Sequence, residues 1–110
     1  MSAGVISLSV DQAAATTAEL IAAVTGKKIE VVAFCLAVFG GIGTVKSTLQ
    51  DTTSNVVRKT LVGSATVPVV YSYHGGRKTP AFTTALGEGL ELVTGTAVTI
   101  TGFINYRFII

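Results

Sequence analysis

Residues 96–110 read TAVTITGFINYRFII, and the parity of this stretch decides the fold. Its even positions, Val98, Ile100, Ile104, Tyr106 and Phe108, form one continuous apolar face at the period of two that a β-strand requires. Its odd positions, Thr99, Thr101, Phe103, Asn105, Arg107 and Ile109, mix polar groups with two large apolar ones. The pattern predicts a strand over Thr96–Ile110 whose even face enters a core and whose odd face meets another subunit across a covered, partly wet contact. Chain ends fray in water unless something holds them, so the closing Phe108, Ile109 and Ile110 are expected to be covered.

Working back along the chain, Leu90–Val93 reads as a strand after the tight turn Gly87-Glu88-Gly89, and Ala81–Ala85 as a short one. Ala65–Tyr73 alternates Val67, Val69, Tyr71 and Tyr73 against Thr66, Pro68, Val70 and Ser72. Pro68 donates no ladder hydrogen bond, which places this strand at an edge or the proline at a bulge. Val56–Leu61 and Thr44–Gln50 read as short strands flanking the loop Asp51–Asn55. Lys28–Phe39 is apolar at both parities from Val31 onward, with Ile29, Val31, Ala33, Cys35 and Ala37 on one face and Val32, Phe34, Leu36 and Val38 on the other. Such a strand is central and covered on both sides. Alanine is dense in Gln12–Ala23, yet Glu19–Val24 running into Thr25-Gly26-Lys27 reads better as a strand entering a turn. About eight or nine strands, roughly 10 to 12 residues apart, predict one all-β domain over residues 1–110, an antiparallel sandwich or barrel.

Apolar residues make up 49% of the chain and charged ones 13%, about half the charge of an ordinary soluble domain. Part of the outer surface is therefore expected either to be covered in the working state or to be built from threonine, serine and glycine. The net charge of +2 is spread thinly, without the clustered basic face that nucleic acid demands. The dibasic pairs Lys27-Lys28, Arg58-Lys59 and Arg77-Lys78 sit beside turns and read as solvated, with salt links to an acidic partner surface as the alternative. One cysteine excludes an intrachain disulfide; Cys35 lies in an apolar run and reads as a small core residue. The opening MSAGVISLSVDQ has no basic segment followed by an apolar block, and the most apolar window, Val31–Ile42, is too short to span a bilayer, so neither export nor a membrane is expected.

No constellation for chemistry emerges. Residues 40–47, GGIGTVKS, have the glycines and lysine of a phosphate-binding loop, but two residues separate the last glycine from Lys46 and a strand follows. His74 is the only histidine; beside Ser72 it lacks a nucleophile elbow, and no ligand cluster surrounds it for zinc. Glu88 and Glu91 are the closest carboxylate pair, with no obvious neighbour to raise the pKa of either. The chain is expected to be no enzyme and to need no cofactor or metal.

Several pieces, in order and spacing, resemble small virion proteins of tailed bacteriophages. These are Ala23-Val24-Thr25-Gly26-Lys27-Lys28-Ile29, Gly43-Thr44-Val45-Lys46, Leu86-Gly87-Glu88-Gly89-Leu90-Glu91-Leu92, and Val98–Ile110 with Gly102 and Tyr106. The segment Asp51–Lys78 departs from that family's pattern. The resemblance implies a single jelly roll and a capsid decoration or cement protein on the outer face of an icosahedral head. The implied assembly is a homotrimer made in the host cytoplasm, with the major capsid protein as partner. Phe103, Arg107 and Ile109, with Phe34 and Leu36 of the central apolar strand, are the expected interface residues. A carbohydrate- or receptor-binding jelly roll, or a head or neck fibre or adaptor component, is the alternative. The absence of tryptophan leaves few rings for sugar stacking.

Overall fold

The computed structural model describes residues 4–13, 16–40, 46–64, 66–75 and 78–110. They form β1 (Ile6–Gln12), β2 (Thr17–Ile21), β3 (Lys28–Gly40), β4 (Lys46–Asp51), β5 (Val57–Val62), β6 (Val69–Tyr73), β7 (Phe82–Thr83), β8 (Leu90–Val93) and β9 (Val98–Ile109). Two antiparallel sheets result, one in the order β1-β9-β3-β6 with β7 also on β3, the other β2-β8-β4-β5. The pairings nest around the β4–β5 hairpin: β3 with β6, β2 with β8, β1 with β9.

The two sheets face each other across one apolar core. Val98, Ile100 and Ile104 of β9 pack there with Ile29, Val31, Leu36 and Val38 of β3, against Leu49, Leu61, Leu90 and Leu92 of the opposite sheet. Tyr106 and Phe108 extend that face toward one end, their rings edge to face at 5.7 Å. The even parity of β9 thus enters the core, as its sequence predicts. The long dimension of the molecule, 46 Å, is about what the 13 residues of β3 span when extended.

β3 departs from strict alternation. Its register against β9 shifts between Val31 and Ala33, a bulge that adds one residue and exchanges the parities. Ile29 and Val31 face inward before it; Phe34, Leu36 and Val38 face inward after it, all buried. Two expectations are corrected here. Phe34 and Leu36 are core residues, already covered within one chain and unavailable for a subunit contact. Cys35 turns to the outer face with Ala33 and Ala37 and is only half-buried.

Two other differences concern the strands themselves. β1 is a strand that the sequence reading does not place, although Ile6, Leu8 and Val10 alternate with serines. β6 starts at Val69, directly after Pro68, and is an edge strand, which is where a residue without an N–H is tolerated. The glycine-rich turn at 41–45 and Arg77 lie outside the described residues. Among the described residues, no helix is long and apolar enough to cross a membrane.

Candidate interaction face and polar clasp

The outer face of the β1-β9-β3-β6 sheet is built largely from small residues, with a few large ones among them. Pairing registers place Ser9, Phe103, Cys35 and Ser72 in one row across it, and Asp11, Thr101, Ala37 and Val70 in the next. Phe103 is the large side chain of the first row and is half-buried by its own neighbours. Phe39 and Val70 stand on the same face at 45% and 60% exposure, which makes them the more accessible apolar groups. The Oδ1 of Asn105, two residues from Phe103, is buried without a hydrogen-bond donor among the described residues. An orphaned acceptor of this kind costs stability unless a further donor reaches it.

Of the expected interface residues on β9, Arg107 is already committed. It lies in register with Glu30 of β3, and its Nε donates to Glu30 Oε1 at 2.7 Å. The pair neutralises both charges within the chain. Ile109 is half-buried at the end of β9, opposite Lys28. Phe103 and Ile109 therefore remain on the outer face, but neither stands fully in water in a single chain.

A second constellation ties the loop after β4 to the turn before β8. Asp51 closes β4 with its side chain fully buried. Arg58 donates to both its oxygens, Nε to Oδ1 at 2.9 Å and Nη2 to Oδ2 at 2.7 Å, and the Ala85 amide donates to Oδ2 at 3.0 Å. Burial pushes the Asp51 carboxyl upward, but the Arg58 hydrogen bonds, the Ala85 amide and the Arg58 charge together hold it below its ordinary value. Glu88 Oε1 accepts the amides of Thr53 at 2.8 Å and Ser54 at 2.7 Å. These contacts, led by the Ser54 amide, hold its carboxyl low against slight desolvation. Gly89 donates to Thr52 Oγ1, and the Thr52 amide donates to the Gly89 carbonyl. Gln50 adds a bond from Nε2 to Glu91 Oε2 at 2.7 Å.

The neighbours of Glu88 lower its carboxyl and none that raises it prevails, whereas the expectation of a solvated Arg58 is corrected. Glu88 fastens a loop, Glu91 is bound by Gln50, and Arg58 is half-buried on Asp51. Glu91 also lies directly across from Glu19 of β2. Glu88 and Asp51 accept from backbone amides as well as, for Asp51, from Arg58, an arrangement that holds loops in place. His74 is exposed in the loop after β6. Among the described residues no group of three or more histidine, cysteine or acidic side chains is placed to hold a metal ion. No family model, curated protein or solved structure matches this chain.

Proposed function

We propose that the chain is a structural protein of a phage virion, a decoration or cement protein that binds the outer face of an icosahedral head as a homotrimer and adds contacts between neighbouring major capsid proteins. The observation that carries the reading is the outer face of the β1-β9-β3-β6 sheet: mostly small residues, Glu30 and Arg107 paired with each other, Asp11 at the β1 edge, and Phe39, Val70 and Phe103 as its apolar contacts. A face so poor in charge fits a covered surface better than a solvated one. The nested strand order supports the finer fold reading, since a long hairpin rolled onto itself pairs first strand with last and second with next to last, as a jelly roll does.

The interface is placed on that sheet, with Phe39 and Val70 added to Phe103 and Ile109 and without Phe34 and Leu36. The test is Phe39→Asp combined with Val70→Asp. Both side chains are exposed in the single chain, so the double variant should fold. Sedimentation velocity should show a trimer for the native chain and a monomer for the variant, and only the native chain should co-sediment with intact heads. The Cys35 thiol, on the same face, should react faster with a maleimide in the variant. A native chain that runs as a monomer and still decorates heads, or a variant that stays trimeric, would refute the placement.

A further inference from the structure

At the side of the sandwich where β5 of one sheet faces β6 and β7 of the other, a cavity of about 150 Å³ opens between Phe34, Tyr73, Ala81 and Phe82 on one side and Arg58 and Lys59 on the other. Its walls and its charges are both unusual for the rim of a core. Phe34 and Tyr73 stack with ring centroids 6.4 Å apart, and Phe82 is half-buried beside them. Lys59 pairs with Leu49 across β4 and β5; Leu49 is fully buried, so Lys59 stands on the inner face of its sheet, where an apolar residue would ordinarily sit. Its ammonium lies 5.4 Å from the centre of the Tyr71 ring and, among the described residues, forms no ion pair.

The charge balance selects the ligand. Arg58 is matched by Asp51, which takes its Nε and Nη2 and leaves Nη1 as a donor. Glu88 adds a more distant negative charge that acts on Arg58; Lys59, which forms no ion pair among the described residues, is the cation at the cavity left to meet an anion, and the site suits a monoanion. A cavity of roughly 150 Å³ holds a benzene-sized ring, well below the space a drug-sized ligand needs. We infer that this cavity binds a small carboxylate carrying one planar ring, the ring lying among Phe34, Tyr73 and Phe82 and the carboxylate meeting Lys59 and the remaining edge of the Arg58 guanidinium. The site lies between the sheets and away from the outer face assigned to assembly, so binding there does not depend on the virion reading.

Benzoate is the probe, titrated into the isotope-labelled native chain while amide shifts are followed by NMR. Saturable shifts centred on Arg58, Lys59, Tyr73 and Phe82 are expected. The neutral isostere benzamide should bind about tenfold more weakly, the loss expected when a charged partner is removed from a hydrogen bond, and acetate, which has the head without the ring, should also bind more weakly. Lys59→Gln should reduce benzoate affinity by about the same factor while leaving benzamide unaffected. Should that variant fail to fold, the comparison of three ligands on the native chain decides alone. Shifts that do not saturate, shifts centred elsewhere, equal binding of benzoate and benzamide, or a folded Lys59→Gln protein with native benzoate affinity would each overturn the inference.

Discussion

The Tyr71 hydroxyl stands 3.0 Å from both the amide nitrogen and the carbonyl oxygen of Val62, accepting from the first and donating to the second. Val62 ends β5, the free edge of its sheet, and Tyr71 belongs to β6 of the other. One side chain thereby does for a stretch of open edge what a neighbouring strand would do, and closes the two sheets against each other.

Tyr71→Phe is expected to keep the ring and orphan both backbone groups. Because Val62 is partly buried, the loss should be about 1–2 kcal/mol, read as a lowered denaturation midpoint with an unchanged slope.

Acid should loosen the clasp. Asp51 and Glu88 are both held below their ordinary values of 3.8 and 4.5, so the stability they contribute is present above those values and is lost as pH falls through the lower, folded ones. Thermal unfolding should therefore begin at lower temperature as pH drops from about 5 toward about 2, and Asp51→Asn should flatten that slope. Asp51→Ala strands Arg58, which is 25% exposed. It should cost about 2–3 kcal/mol, at or below the low end for a broken buried pair because the guanidinium can still reach water.

Gly102 adopts φ 146° between Val10 of β1 and Leu36 of β3, and a Cβ there would fall on the carbonyl oxygen of Cys35. Gly102→Ala is expected to destabilise the fold by roughly 2 kcal/mol or more through strain and overpacking together. Chemical denaturation of the purified variant checks it.

Glu19 and Glu91 face each other across β2 and β8, a like-charge pair on the outer face of the second sheet. Glu19→Lys should convert repulsion into attraction and raise stability by roughly 0.2–1 kcal/mol, an increment that shrinks in high salt. An unchanged midpoint at low salt would count against a direct interaction.

The parts of the fold that the sequence makes legible are those whose signal is local. β8 is bounded by a turn on each side, and β9 keeps its even positions apolar from Val98 to Phe108, so burial follows parity. β3 hides its bulge because both parities are apolar around Val32, and nothing in the residue types marks where the backbone gains a residue. Phe34, Leu36 and Cys35 are assigned to the wrong faces for that one reason. β1 has three apolar residues set between polar ones, with Val10 its one buried residue, so its alternation is easily passed over. The clasp is illegible for a different cause: Asp51 and Ala85, or Glu88 and Ser54, are more than thirty residues apart, and only the crossing of the strands brings them together. Lys59 gives no sign in sequence that it faces inward, since a dibasic pair beside a turn is ordinarily solvated.

The pairing of β3 with β9 along nearly their whole lengths also sets a schedule for synthesis. β3 is among the first strands to leave the ribosome, and its longest hydrogen-bonding partner is the last. In between, a thirteen-residue apolar strand waits with one edge open while β4 to β8 are made. Contacts so distant in sequence close slowly, on a scale of milliseconds to seconds for sheets of this kind, and an open apolar edge recruits other chains meanwhile. The yield of correctly folded protein should thus depend on translation rate and on chaperones that shield Val31–Val38, quite apart from how stable the finished sandwich is.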